Sequence, residues 1–137
     1  LSEYKNAIRN KEFLDTFNRE RGGGYWMWKP LIIYEELMKL NEDDMLVYSD
    51  AGSTIPNKSY TIDKLNEYVN IVKNSEKGIL AFRNPHIEST WTKGDVFEHF
   101  NCLDNKNIHN TRQFSGGRLH IIRKCENSMN IYFIIQI

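Results

Sequence analysis

One block, residues 21–53, constrains the fold of this 137-residue chain more than any other part of its sequence. The block contains consecutive glycines, an aromatic cluster, a proline followed by an apolar stripe, and a short apolar run that leads to Asp50. This order predicts a loop, a helix and then a buried strand. Open α/β sheets bind their ligands at the carboxyl ends of such strands. We therefore expect the chemistry of the molecule to centre on Asp50.

Pro30 and the spacing of the apolar residues predict which parts of this block are helix and which are strand. Pro30 suits the first turn of a helix, where its missing N–H costs nothing. Ile33, Leu37 and Leu40 then recur at the spacing of one helix face. The run 45–48 is wholly apolar and bounded by turn residues, which is typical of a strand buried on both faces.

A second unit repeats this alternation. Thr61 is placed to cap a helix whose apolar residues continue at helical spacing to Val72. The run 79–82 predicts the next strand, and Asn84-Pro85 predicts a turn away from it.

The last third of the sequence mixes polar and apolar segments. Thr92, with Asp95 three residues later, resembles a capping box that opens a short helix. Residues 101–115 are polar and predict a loop, whereas residues 119–123 predict a strand. The final segment is ambiguous, because its β-branched and aromatic residues favour a strand while Ser128 is suited to start a helix.

Helices that alternate with short apolar strands indicate the α/β class. A first helix over residues 2–19 precedes the glycines in this interpretation. The chain is long enough for one domain, residues 1–137, and too short for two ordinary ones.

Composition excludes several classes of protein. Lysine plus arginine (18) equals aspartate plus glutamate (18) without a basic run, so no nucleic-acid partner is predicted. Cys102 and Cys125 lie far apart, which indicates reduced thiols and a cytoplasmic location. The apolar runs are too short for a membrane span. The apolar segment 130–137 is expected to be covered by more of the same domain or by self-association.

The residues after Asp50 bear on its chemistry. Ala51, Gly52 and Ser53 are small and leave room for a bulky polar ligand. Magnesium or manganese typically uses one or two protein carboxylates, with substrate phosphates and water completing the shell. One aspartate at a strand end can thus hold a metal against a diphosphate. Aspartate is also a favoured turn residue, so a capping role fits the local pattern equally well.

The block RGGGYWMWKP…MLVYSDAGS resembles the core signature of a glycosyltransferase-like family found in bacterial and viral polysaccharide clusters, approximately RGxGYWxWKPxIIxxxL…GDxLxYxDAG. The resemblance is dense over residues 21–53 and continues more weakly through 90–100 and 112–128. The family is similar to nucleotide-sugar-dependent transferases of the GT-A type, whose DxD motif ends a strand and holds a divalent metal on the sugar diphosphate. By position, Asp50 matches the first aspartate of that motif, and Gly52 stands where the second would be.

This resemblance implies a fold and partners. The implied fold is a partial GT-A domain, a three-layer α/β/α sheet. Only one helix is predicted before Arg21, where the GT-A pattern has a strand–helix–strand unit, so residues 1–137 are expected to lack that unit and to be truncated at the C-terminal end. The implied cofactor is Mn²⁺ or Mg²⁺ on Asp50. The implied partners are a nucleotide-diphosphate sugar donor and a glycan acceptor.

Candidate roles follow for charged and polar residues around the signature. Asp50 would hold the diphosphate, and Glu88 or Asp95 would deprotonate an acceptor hydroxyl. Cations would stabilise the departing diphosphate, although ordinary surface ion pairs explain cations equally well, and helix capping is the competing role of Asp95. The candidate substrate-binding residues are Arg21, Tyr25, Trp28, Lys29, Ser49, Lys93 and Gln113.

The remaining alternatives concern the aromatic cluster and the overall function. Tyr25, Trp26 and Trp28 suit stacking on a sugar or base, but aromatics before an amphipathic helix also serve as core. The histidines show no shared metal-ligand spacing and receive no role. The leading hypothesis is sugar transfer from a nucleotide-diphosphate donor to a glycan; the alternative is a degenerate or partial transferase domain that binds carbohydrate or protein without catalysis.

Overall fold

The computed structural model describes residue 15 and residues 18–26 and 28–134, with the backbone alone for 132–134. The helix predicted over residues 2–19 therefore lies almost entirely outside the described residues, as does the end of the apolar segment 130–137. Among the described helices, none combines the length and apolarity that crossing a membrane would require.

The described elements alternate between helix and strand, as predicted, only as far as residue 80; after it, strands follow strands and three short helices are consecutive. The helices are α1 (Trp28–Lys39), α2 (Ser59–Lys73), α3 (Glu88–Trp91), α4 (Gly94–His99), α5 (Lys106–His109) and α6 (Glu126–Ile134). The strands are β1 (Met45–Tyr48), β2 (Ile79–Leu80), β3 (Arg83–Ile87), β4 (Arg112–Phe114) and β5 (His120–Arg123).

A left-handed turn, Gly22–Tyr25, precedes α1. The φ angles of its three glycines are 61°, 56° and 86°, and Tyr25 and Trp26 follow at 55° and 61°. The turn is closed by Trp26, whose N–H donates to the Gly22 carbonyl at 3.2 Å. Left-handed backbone costs an L-residue about 1–2 kcal/mol but costs glycine almost nothing, so the glycines allow the chain to enter this turn.

Three strands form the central sheet in the order β1-β5-β2, with β5 antiparallel to both neighbours. Ile122 of β5 pairs with Leu46 on one side and Ile79 on the other. The adjacent residue, Ile121, pairs with Val47 and Leu80. Because side chains alternate along a strand, these two sets lie on opposite faces of the sheet.

Helices cover both faces of this sheet. On one face, Ile33 and Leu37 of α1 form a core with Ile122, and Met129 of α6 packs against it. On the other face, α2 packs on β5 and β2, and its Val72 is fully buried, as is Ile121. The described part of the chain is thus mixed α/β with small antiparallel sheets, which is compatible with the predicted class.

The strand β1 differs from its prediction. Val47 points toward the α2 face and is 44% exposed, so β1 is not buried on both faces. The reason is its place at the edge of the central sheet, where β5 is its partner in the register.

The second sheet pairs β3 with β4 and carries α3 on β3. Asn84 and Pro85 lie inside β3, so the predicted turn at this dipeptide is wrong. The register of the pair shifts between Arg83 and Ile87. Proline is tolerated at such an irregularity because its missing N–H is not needed for regular pairing. The predicted strand 79–82 correspondingly shortens to two residues, Ile79–Leu80.

Two predicted helix caps are also wrong. The helix α2 begins at Ser59 with Lys58 at its N-cap, and the hydroxyl of Thr61 is buried without a hydrogen-bond partner. The capping box of Thr92 and Asp95 does not form, because the Thr92 hydroxyl donates to Glu88 instead. Lys93 takes the N-cap of α4.

The chain after residue 100 is more regular than its composition indicates. The segment 101–115, predicted as a loop, contains the single-turn helix α5 and the strand β4. The ambiguous final segment forms the helix α6. Ser128 lies in its first turn and accepts a hydrogen bond from the Cys125 N–H at 3.2 Å, so this serine helps to start the helix.

Candidate functional site

Asp50 follows β1 by two residues and starts a tight turn. Its N–H donates to the Gly117 carbonyl at 3.3 Å, and its carbonyl accepts from the Ser53 N–H at 2.9 Å. Its side chain returns to the strand, where the Tyr48 hydroxyl donates to Oδ1 at 2.7 Å. The carboxylate therefore lies at the carboxyl end of β1, as the sequence predicts.

Lys29, in the first turn of α1, forms an ion pair with this carboxylate. Its Nζ lies 2.8 Å from Oδ1 and 2.9 Å from Oδ2 of Asp50. The lysine side chain is 16% exposed and the aspartate 37%, so the pair is only partly open to solvent. The two ends of the block 21–53 thus meet in one contact.

The loop before β5 closes around the same carboxylate. A Cβ atom on Gly117 would lie 2.3 Å from Asp50 Oδ2, so only glycine leaves room for this side chain. His120 pairs with Tyr48 in the register, their rings are 5.9 Å apart, and its Nε2 lies 2.8 Å from the Ser115 carbonyl.

The neighbours of Asp50 determine its charge. Burial raises its pKa, but the hydrogen bonds from Lys29 and Tyr48 and the charges of Lys29 and His120 lower it by more. The net result is a pKa below the ordinary value of 3.8. Asp50 is therefore a carboxylate at neutral pH.

A cavity of about 680 Å³ opens beside the ion pair, on the α1 side of the sheet. Its walls are mainly apolar, and Trp26 and Phe114 contribute aromatic faces. Lys29, Lys77 and His120 are the lining residues whose side chains carry a nitrogen beyond Trp26. A cleft of this size, with few polar groups on apolar walls, is typical of a small-molecule site.

A smaller cavity of about 260 Å³ lies on the α2 side of β1. Ser49 lines it together with Ser53, Lys64, Tyr68 and Arg118. Ser49 therefore lies on the α2 side of β1, whereas Lys29, the ion-pair partner of Asp50, lines the larger cavity.

The aromatic cluster divides into three different environments. Tyr25 and Arg21 are exposed. Trp28 donates its Nε1–H to the Gly22 carbonyl at 2.9 Å and so braces the left-handed turn. Trp26 lines the larger cavity, which makes it the aromatic residue best placed to contact a ligand there.

The candidates after residue 80 form a separate group. Thr92 donates to the Glu88 carboxylate and lies 3.4 Å from Gln113 Nε2, which donates to it. Lys93 and Asp95 are exposed at the start of α4, where Asp95 accepts from the Val96 N–H at 3.0 Å. The structure thus brings Lys29 and Asp50 into contact, while the hydrogen bonds of Glu88 and Gln113 are formed within their own unit.

In this structure the groups around Asp50 do not form a suitable set of ligands for a divalent metal ion. Both carboxylate oxygens accept from the Lys29 ammonium, and Oδ1 also accepts from Tyr48. Within the described part of the chain, no three His, Cys, Asp or Glu side chains group to hold a metal.

Several site residues were missed in the sequence. Tyr48 was recognisable, because a residue two positions before Asp50 in a strand shares its face. Gly117, His120 and Lys77 were not, since their place depends on how β5 and β2 pair. Sequence spacing carries no information about that register.

Comparisons of the chain with protein-family models, with curated proteins and with solved structures find no match.

Proposed function

We propose that this chain is a glycosyltransferase-like protein of the GT-A type, which transfers a sugar from a nucleotide-diphosphate donor to a glycan acceptor. One observation carries the proposal: Lys29 and Asp50, from the two ends of the sequence signature, form an ion pair beside a cavity of about 680 Å³. The signature thus brings Lys29 and Asp50 into contact at one site. A role of Asp50 limited to capping a turn would not require this contact.

The residues at the cavity suit a diphosphate and a ring. Lys29 and Lys77 supply positive charge, which stabilises the negative charge that develops on a departing diphosphate. Trp26 supplies a flat apolar face, suited to a sugar ring or a nucleobase. Lys29 is fixed by Asp50 before any ligand arrives, so little reorganisation is needed at the moment of reaction.

Activation of the acceptor requires a carboxylate that reaches its hydroxyl. Glu88 is the candidate on the β3–β4 unit, and Phe114 of the same unit lines the cavity. Asp95 remains a second candidate, although its contact with the Val96 N–H suits its role in the first turn of α4.

Nucleotide titration tests the proposal. The purified, folded chain would be titrated calorimetrically with UDP, GDP, CDP and ADP, with and without Mn²⁺, and saturable binding of at least one is expected. The variant Asp50→Ala should weaken that binding, whereas Asp63→Ala removes an exposed carboxylate on α2 and should not. Absence of binding by all four nucleotides in a folded sample would contradict the proposal.

The alternative is a partial transferase domain that acts as a binding module. The observation that favours it is the exposure of three large apolar side chains, those of Trp91 in α3 and of Phe100 and Leu103 after α4. Sedimentation separates the two ideas, because a self-sufficient enzyme should be a monodisperse species. A module that needs a partner should self-associate or bind a hydrophobic dye.

A further inference from the structure

We infer that the cation which meets the diphosphate at this site is the Lys29 ammonium rather than a divalent metal ion. Asp50 is then the positioning residue that holds Lys29 at the cavity. This inference rests on the proposed binding of a nucleotide diphosphate and names the group that binds it.

The hydrogen bonds of Asp50 favour this assignment. Its two oxygens accept three donated hydrogen bonds, at 2.8 and 2.9 Å from Lys29 and at 2.7 Å from Tyr48. A divalent ion binds an oxygen at roughly 2.0–2.2 Å. At Asp50 it would lie beside the ammonium, and the two positive charges would repel each other.

No further ligand for a metal ion comes from Gly52, Gly117 or His120, which lie around Asp50. Gly52, which occupies the position of the second motif aspartate, brings no ligand. Gly117 lies against Oδ2 so closely that a methyl group there would be 2.3 Å away. The Nε2 of the nearby His120 lies 2.8 Å from the Ser115 carbonyl, so this nitrogen is already engaged in another contact.

Lys29 keeps one donor for a ligand. An ammonium has three N–H groups, and two of them are directed at Asp50. The third has only a long contact of 3.5 Å with the Gly116 carbonyl, and Lys29 lines the cavity. A phosphate oxygen in the cavity can accept this third hydrogen bond, and Lys77 adds a second charge from the wall.

Phosphate binding by Lys29 and phosphate binding by a metal on Asp50 predict opposite effects of substituting these two residues. If Asp50 holds Lys29, loss of Lys29 removes the group that binds phosphate. Loss of the Asp50 charge then only makes the position of the Lys29 ammonium less fixed. If Asp50 holds a metal, loss of Asp50 abolishes binding, and loss of Lys29 clears the carboxylate for the metal.

Calorimetric titration with UDP and GDP, in EDTA and again in Mn²⁺, distinguishes them. We expect wild-type affinity to be the same within about threefold in the two conditions, and Lys29→Met to lower it by about tenfold or more in both, the loss typical of a charge-assisted hydrogen bond. Lys29→Arg should restore part of the affinity. The control Lys64→Met removes an exposed lysine that pairs with Glu67 on α2 and should leave the affinity unchanged.

The outcomes separate this inference from the proposed function. Binding that appears only with Mn²⁺, or that survives in Lys29→Met but not in Asp50→Asn, overturns the role of Lys29 while the proposed function stands. Absence of binding in both conditions removes the proposed function and this inference with it. The wild-type comparison in EDTA needs no variant, so it holds even if Lys29→Met fails to fold.

A direct metal titration gives a second readout. Electron paramagnetic resonance of Mn²⁺ added to the protein without nucleotide should show the signal of the free ion. Stoichiometric loss of that signal, restored in Asp50→Asn, would overturn the inference.

Discussion

At the scale of single residues, the main feature of the site is that both carboxylate oxygens of Asp50 accept hydrogen bonds. Lys29 and Tyr48 donate to it, and Gly117 gives it the space to turn back toward the strand. These donors favour the ionised form of Asp50 over the neutral acid, because a hydrogen bond to a carboxylate is stronger than one to a neutral carboxyl group.

The first prediction concerns pH. Tyr48→Phe removes one donor, so the pKa of Asp50 should rise toward 3.8 and remain lowered by Lys29. A lowered native pKa stabilises the fold above the unfolded pKa, and that contribution is lost as the pH falls through the native value. The variant should therefore lose this stability at a higher pH than the wild type.

The measurement is an NMR titration of the Asp50 carboxyl carbon, with acid unfolding followed in parallel. The control is Tyr60→Phe, which alters an exposed ring on α2. Identical midpoints for Asp50 in the wild type and Tyr48→Phe would show that this hydroxyl does not act on the carboxylate.

The second prediction concerns the space at Gly117. Gly117→Ala places a Cβ atom 2.3 Å from Asp50 Oδ2, so the carboxylate must move. Overpacking of this kind costs typically about 1–3 kcal/mol of unfolding free energy, and nucleotide binding should weaken because Lys29 loses its fixed partner. The matched control is Gly116→Ala, whose Cβ would meet nothing within 4 Å. Equal stability of the two variants in urea would contradict the contact.

At the scale of elements, the left-handed turn Gly22–Tyr25 sets where α1 begins. It places Trp26 on the wall of the larger cavity, and the Nε1–H of Trp28 braces it from within α1. Lys29, the next residue of α1, is thereby directed at the end of β1. The glycines thus contribute to the site through their backbone conformation.

The third prediction tests that turn. Gly23→Ala should cost about 1–2 kcal/mol because its φ is positive, at 56°. Gly22→Ala should cost more, because its Cβ would also lie 2.6 Å from the Trp26 ring. The control Gly94→Ala alters the first residue of α4, which has open space and an ordinary φ. Chemical unfolding checks the order, and a Gly22→Ala variant as stable as Gly94→Ala would refute this conformation.

At the scale of the whole molecule, helices on both faces of one small sheet hold the site in place. α1 and α6 cover the face that carries Ile122, and α2 covers the face that carries Ile121. The larger cavity lies on the first side and the smaller cavity on the second. The carboxyl end of β1 therefore stands near cavities on both sides of the sheet.

The fourth prediction tests this arrangement. Ile121 and Ile122 are both fully buried although they are adjacent in β5. Truncation of either to alanine should cost about 2–5 kcal/mol, the range for large buried aliphatic residues. Val47→Ala, on the same face as Ile121 but 44% exposed, should cost less than about 1 kcal/mol. A large loss at only one of the two isoleucines, measured by urea unfolding, would mean that one face is uncovered.

Local signals predicted part of this molecule well. Pro30 and the apolar stripe gave the helix α1, and the run 45–48 gave the strand β1. The turn and cap predictions were weaker. Asn84-Pro85 lies in a strand because β4 pairs with the residues on either side, Arg83 and Ile87. Thr61 does not cap α2 because the helix begins two residues earlier.

The sequence by itself determined the α/β class, the helix α1, the strand β1 and the position of a carboxylate at its end, because helical and strand periodicity are local properties. The tertiary structure decided which groups surround that carboxylate. Lys29 reaches it because α1 packs over the sheet, and Gly117 lies against it because the pairing of β5 with β1 places the loop before β5 there. Asp50 is 21 positions from Lys29 and 67 positions from Gly117 in the sequence. The geometry of these contacts depends on strand register and helix packing, which local periodicity does not predict.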